Sequence, residues 1–382
     1  WHFQTTPAEN WDYTATQSLI LAALEIGGTA RKVIMQLPKN GFYYVLDRAT
    51  GEFLSAKNVV PVNWTSGLDP ETGRPRIAVE NLYDRAAKLV TPGPSGAHNW
   101  QPMSFSPRTG LAYIPLQESS YVYSMTRDFR PRPGQWNMGN DPRAARPPEA
   151  ASAAPPRGAL LAWDPVRQKQ AWRVELGESW NGGTLATAGN LVAQGAADGR
   201  FVVYRADTGI RLWEMPIQTG AVAGPISYSV NGEQYLAVAA GWTGAIALWG
   251  GDRARARHPP IEARVLAFKL GGTAALPPPQ GMKVMPEPPP SVAAEDVISR
   301  GKEMYAATCA TCHGLNAVAG IMPDLRYMTP ETHARFADIV LRGTRIGGGM
   351  AAFADKYSQE DVEAIHAWLI RRANEDYPDA AE

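Results

Sequence analysis

Cysteine is nearly absent: the 382-residue chain holds two. A zinc site built on cysteine pairs would need two further ligands, and no other cysteine exists to provide them. Excess charge is missing as well. Lys plus Arg and Asp plus Glu both number 37, so no global field favours nucleic acid or anionic lipid as a partner. A long apolar run is also lacking. Gln234 to Gly251 is uncharged over 18 residues, but Gly241, Thr243 and Gly244 interrupt it. It reads as strand, turn, strand, and no transmembrane segment is expected. What the chain does have is 12 Trp, 14 Tyr, 36 Gly and 32 Pro, the composition of a β-rich, turn-rich protein.

Both cysteines fall in one run, Cys309-Ala310-Thr311-Cys312-His313. A redox pair of the thioredoxin kind does not account for a histidine directly after the second Cys. A covalent c-type haem accounts for all three residues: Cys309 and Cys312 add to the vinyl groups, and His313 reaches the iron. Such attachment takes place outside the cytoplasm, and the sequence starts at Trp1 rather than at a signal peptide. A periplasmic location is therefore expected, with an export signal upstream and a processed or truncated N-terminus.

A proline-rich stretch divides the chain. Pro277-Pro278-Pro279 and Pro286-Glu287-Pro288-Pro289-Pro290 suit neither helix nor central strand. The expected division is a β-domain over 1–269, a linker over 270–292 and a helical haem domain over 293–382. In the last, helices are expected from Ala294 to beyond Tyr305, over Ala334–Leu341, and from an N-cap at Ser358 to about Ala373. Before the linker the patterning has period two, in Lys32–Gln36, Phe42–Leu46, Leu111–Ile114, Phe201–Tyr204 and Tyr235–Val238. A turn motif recurs at Asp47–Gly51, Asp164–Gln168 and Ala206–Gly209. The last two, aligned at their final residues, lie 41 residues apart, each followed four residues on by Trp172 or Trp213. That spacing suits four-stranded propeller blades.

For the second iron ligand the sequence offers Met322, Met328 and Met350. A thioether favours reduced iron, and Met350 follows three glycines that let a loop carry its sulfur inward. Gly349-Met350-Ala351-Ala352-Phe353 is also similar to the distal loop of class I cytochromes c. Met350 is the expected ligand. His333 and His366 are expected on helices and exposed.

Taken together, Glu9-Asn10-Trp11-Asp12-Tyr13, Leu37-Pro38-Lys39-Asn40-Gly41, Gly96-Ala97-His98-Asn99-Trp100 and the run from Trp180 to Gly189 resemble the quinoprotein alcohol dehydrogenases that use pyrroloquinoline quinone (PQQ). The cytochrome after a proline-rich linker resembles the quinohaemoprotein branch. The resemblance implies a multidomain protein: all-β blades of an eight-bladed propeller, incomplete here, then an all-α class I cytochrome c domain. It implies Asp12 as general base and calcium ligand, and Lys39 as the cation facing the quinone oxygens. Asn99, Trp100 and Trp180 would contact the quinone. Lanthanide-using relatives carry a further carboxylate two residues after that aspartate. Thr14 stands there, so calcium is the implied metal.

The residues before the linker suffice for roughly half of eight blades. The resemblance places the calcium-binding Glu and Asn, the Trp beneath the quinone and an adjacent-Cys disulfide in a preceding half. The expected function is oxidation of an alcohol at the quinone, with electrons leaving through the haem to a small copper protein, a cytochrome or a quinone. Two other readings stand beside it: a non-catalytic electron-transfer protein, and an inactive fragment.

Overall fold

The computed structural model describes residues 1–131, 139–141, 144–242, 263–278, 284–314, 316–319 and 322–377. They form two compact units, one β-rich and ending at Pro277, the other carrying the helices that follow Pro278.

The β unit is a series of antiparallel meanders. β1 (Ile20–Ile26), β2 (Thr29–Gln36), β3 (Phe42–Asp47) and β4 (Phe53–Asn58) make the first four-stranded sheet. A two-stranded pair follows, β5 (Thr65–Leu68) with β6 (Pro75–Ile77), and then β7 (Lys88–Val90). β8 (Ser104–Ser106), β9 (Leu111–Glu118), β11 (Arg157–Asp164) and β12 (Lys169–Leu176) make the second large sheet, while β10 (Tyr121–Tyr123) leaves it to pair with β7. β13 (Thr184–Ala186), β14 (Leu191–Gly195), β15 (Arg200–Arg205) and β16 (Arg211–Pro216) make the third. β17 (Ile226–Val230), β18 (Glu233–Ala240) and β19 (Arg264–Phe268) form a three-stranded sheet.

Alternation decides how the sheets stack. Successive side chains of a strand face opposite ways, and β3 is buried at every residue. Its Tyr43 and Val45 join a core with Ile114 and Leu161, while Phe42 and Tyr44 join Trp11, Tyr13 and Trp64. In β9, Ile114 and Leu116 face the first sheet's core, and Leu111 and Tyr113 share another with Val202 and Tyr204 of β15. Each large sheet thus packs against the next in chain order, as propeller blades do, and the described sheets do not close into a ring. β18 covers the opening residues, 234–240, of the uncharged Gln234–Gly251 run; 243–251 lie outside the described residues. Among the described residues no helix is long and apolar enough to cross a membrane.

The repeated turn has a packing cause. At Gly209, which has φ +73°, a Cβ would come within 2.6 Å of the Trp172 ring, and Trp172 Nε1 donates to Ala206 O at 2.9 Å. Trp1 sits the same way on Gly51, within 2.5 Å of a notional Cβ, and donates to Arg48 O. At the third turn Gln168 replaces glycine, and the residue facing it is Ser55, whose Oγ accepts from Gln168 Nε2 at 2.8 Å. Where an indole docks, only glycine leaves it room. Where a small hydroxyl faces the turn, a side chain fills the gap.

Between Gly272 and Ser291 the described residues form neither helix nor strand, and 279–283 of the expected linker lie outside them. The second unit contains α1 (Glu295–Thr308), α2 (Ala310–His313), α3 (Pro330–Ala334), α4 (Phe336–Arg342) and α5 (Gln359–Asp376). α5 opens with a capping box between Ser358 and Asp361. Its Trp368 ring lies 4.4 Å from that of Tyr305 on α1. At Gly301 the two helices approach so closely that a Cβ would lie 1.9 Å from Ala364 O.

Two expectations need correction. The helical pattern over Ala334–Leu341 is two helices: Ala334 ends α3, and Arg335, at φ −103° and ψ 9°, turns the chain into α4. The earlier helix is started by Pro330 at its first position and Thr329 as its cap, a signal the apolar periodicity masks. Secondly, His333 and His366 are half-buried rather than exposed. His333 Nδ1 lies 2.8 Å from His366 Nε2, and His366 stacks on Phe336 at 4.4 Å. Burial, and then the neighbouring His333, push the pKa of His366 down to about 4.

Candidate functional site

The β unit brings two of the predicted residues together. Lys39 follows β2 in a turn sealed by Asn40, whose amide donates to Thr5 O, Thr6 Oγ1 and Tyr44 OH. The Lys39 side chain is almost entirely buried, and its Nζ lies 3.1 Å from Asp12 Oδ2. Asp12 has φ +62°, a conformation few non-glycine residues adopt, and its neighbours hold it there. Trp11 and Tyr13 are buried on either side. Glu9 Oε1 accepts from both their backbone N–H groups, Tyr123 OH donates to Trp11 O at 2.7 Å, and Tyr13 OH donates to Pro92 O. Aromatic anchors thus leave the carboxylate of Asp12 as the exposed tip of a fixed turn.

Asn99 and Trp100 sit on the next loop. Asn99 Nδ2 donates to Ser95 O at 2.9 Å, and its Oδ1 accepts from Trp100 N. One amide N–H therefore remains for a ligand. Trp100 is exposed. Trp180 is buried at the start of the third sheet, and its indole N–H has no partner. It makes no hydrogen bond to Asp12, Lys39 or Asn99.

Motif reading passed over His98. The ring is fully buried, with Nδ1 2.9 Å from Leu37 O and Nε2 2.7 Å from Gln101 O. Burial lowers its pKa while the two carbonyls raise it, burial being the larger effect. Gln17 Nε2 donates to His98 O at 3.0 Å, and neither amide atom of buried Gln101 has a partner. The signal for His98 was its place inside the Gly96–Trp100 run.

An anionic quinone would find in these residues a desolvated cation, a spare amide N–H and an unpartnered indole N–H, a donor set that fits it. A calcium ion takes six to eight oxygens; Asp12 could supply one of them, and among the described residues no three His, Cys, Asp or Glu side chains gather around a common point.

In the helical unit Cys309 caps α2, and Cys312 and His313 lie on it. Cys309 is half-buried, its thiol pKa pushed up to about 12 by burial, while Cys312 is exposed. His313 is buried, and its Nδ1 lies 2.9 Å from Pro323 O. Burial lowers its pKa, which favours the neutral ring. With Nδ1–H on the carbonyl, the lone pair falls on Nε2. Two thiols and an oriented imidazole fit a covalent haem. Of the methionines, Met328 is buried in the helical core, Met322 is exposed, and Met350 lies at the core's rim after Gly349, which has φ +89°.

Comparison with known proteins places both units in known families. The profile of the glucose/ethanol/alcohol dehydrogenase β-propeller domain (PQQ) matches residues 1–72 and 78–236, and that of cytochrome c oxidase, cbb3-type, subunit III matches 296–369. Quinohemoprotein alcohol dehydrogenase ADH-IIG of Pseudomonas putida is 48% identical over 98% of this chain and 54% of its own length. The 1-butanol dehydrogenase (cytochrome c) of Thauera butanivorans is 42% identical over 98% and 54%. The solved structure of ADHIIG from Pseudomonas putida HK5 matches with a TM-score of 0.88 at 47% identity, over 98% of this chain and 56% of that one. The quinohemoprotein alcohol dehydrogenase of Comamonas testosteroni matches with a TM-score of 0.83 at 42% identity, over 99% and 56%. The chain spans about half the length of the curated relatives it matches.

Proposed function

Since the chain belongs to the quinohaemoprotein alcohol dehydrogenases, with their PQQ-binding propeller and cytochrome c domain, we propose that it serves in the periplasmic oxidation of an alcohol to an aldehyde or ketone. When bound, the quinone supplies a hydride acceptor and the haem a one-electron exit to a copper protein, cytochrome or quinone. Asp12 stands in its ion pair as a carboxylate, the form that takes the proton of the substrate hydroxyl at Oδ. Lys39 Nζ is already desolvated and held beside Asp12, so it would stabilise negative charge growing on the quinone with little reorganisation. Asn99 and Trp180 would offer their remaining N–H groups to the quinone, and exposed Trp100 would offer it an aromatic face. Cys309 and Cys312 would hold the haem covalently, and His313 and Met350 would serve as its iron ligands.

The observation that carries this reading is the 3.1 Å pairing of Lys39 with Asp12. A domain that merely docks a cytochrome has no use for a buried cation aimed at an exposed carboxylate. The test is alcohol-dependent reduction of the haem in the holoenzyme, compared with Asp12→Asn. The variant should lose about 100-fold or more of its rate while keeping its haem spectrum. Unchanged turnover in Asp12→Asn would refute the assignment. A haem that chemical reductants reduce and no alcohol does would favour the non-catalytic electron-transfer reading.

A further inference from the structure

The loop Gly96–His98 grips the segment Leu37–Lys39 at three points. The His98 ring meets Leu37 O, with Nδ1 at 2.9 Å. Ala97 N donates to Lys39 O at 3.0 Å. Gly96, at φ +76°, seats its bare Cα against Lys39, whose Cβ and Cα would lie 2.4 and 2.5 Å from any Cβ placed there. On the ring's other side, Nε2 meets Gln101 O at 2.7 Å. The next residue, Pro102, packs against Gly183 and accepts from Thr184 N at 2.8 Å. The run that begins at Trp180 is thereby tied to the same loop.

We infer that His98 is a positioning residue for Lys39: its imidazole, wedged between the Leu37 and Gln101 carbonyls, fixes the backbone beneath Lys39 and so sets where the Lys39 ammonium stands. This rests on the reading of Lys39 as the quinone-facing cation. Carbonyl oxygens only accept, so a neutral ring donates to one of the two carbonyls and packs against the other, while an imidazolium donates to both. Lysine has a flexible four-carbon stem, so its Nζ is only as well placed as the backbone beneath it. A displacement of about 1 Å in a positioning group can cost on the order of 100-fold in rate. A core histidine with no such role could meet any two acceptors. The two chosen here lie two residues before Lys39 and one after Trp100, both in segments that carry proposed quinone contacts.

The experiment follows Lys39 itself. In the full chain, the rate at which an amine-reactive reagent labels Lys39 is mapped by peptide mass spectrometry against exposed Lys57, in wild type, His98→Phe and His98→Gln. Wild-type Lys39 should be strongly protected. His98→Phe, which removes both ring nitrogens, should bring its rate toward that of Lys57, and His98→Gln, which keeps an amide donor, should restore part of the protection. In the holoenzyme His98→Phe should lower kcat by about 10-fold or more, with KM for the alcohol little changed. Should His98→Phe not fold, partial deprotection in His98→Gln supports the positioning role in its place. Lys39 protection identical in all folded variants, with only the melting temperature lowered, would overturn the inference. Labelling does not depend on bound quinone. A shift in labelling without any loss of quinone affinity would support the positioning role and count against the quinone-facing role of Lys39.

Discussion

Lys39 Nζ lies 3.1 Å from Asp12 Oδ2, and the partners differ in exposure: 9% for the lysine side chain, 62% for the aspartate. A pair so open on one side contributes little to stability, about 0 to 1 kcal/mol. Its geometry serves chemistry better. The cation is fixed and dehydrated, and the carboxylate beside it can be reached by a substrate.

Replacing Lys39 with Met keeps most of the stem and removes the charge. Binding of PQQ to the quinone-free protein, followed by quenching of its tryptophan fluorescence, should weaken by at least about 10-fold, the loss of one charge-assisted hydrogen bond. Thermal stability should change by no more than about 1 kcal/mol. Unaltered quinone affinity would remove Lys39 from the site.

Met350→Leu separates the iron-ligand reading from core packing. The haem should stay attached through Cys309 and Cys312, and its reduction potential should fall, since a thioether favours reduced iron. Met322→Leu and Met328→Leu should leave the potential near wild type. Potentiometric titration of the three variants decides among the methionines, and a fall confined to Met328→Leu would reassign the ligand.

Gly301→Ala tests the crossing of α1 and α5. The added methyl would lie 1.9 Å from Ala364 O, so the helices must part. Overpacking of this kind costs about 1 to 3 kcal/mol. Heat unfolding followed through the haem band should show the loss, while far-ultraviolet signals from the β unit should melt as before. An unshifted haem-unit transition would contradict the close approach.

The pair His333–His366 predicts a pH dependence. The pKa of His366 is depressed from 6.5 to about 4 in the folded unit, so the unfolded chain takes up the proton first as pH falls. The stability contribution is full above pH 6.5 and is lost as pH falls from there through about 4. The helical unit should melt progressively lower across that window, and His366→Phe, which keeps the stack on Phe336, should flatten the trend. Equal slopes for the two proteins would place the acid sensitivity elsewhere.

By itself, the sequence determined whatever depends on neighbours along the chain. Cys309, Cys312 and His313 could be proposed as a haem site from sequence because the chemistry needs them adjacent. The strands were legible from period-two patterning, and the start of α5 from Ser358 and the acidic residues behind it. Tertiary structure alone decided the rest, because contacts between distant segments leave no local period. Nothing near Gly209 announces that Trp172 lies on it, nor anything near Ser55 that Gln168 reaches it. His333 and His366 look like solvent-facing helix residues until α3 and α5 bring them within 2.8 Å. Asp12 and Lys39 are 27 positions apart and become one site only when buried aromatics fix the first turn and the Gly96–His98 loop fixes the second. Burial and charge pairing are properties of space, and folding alone assigns them.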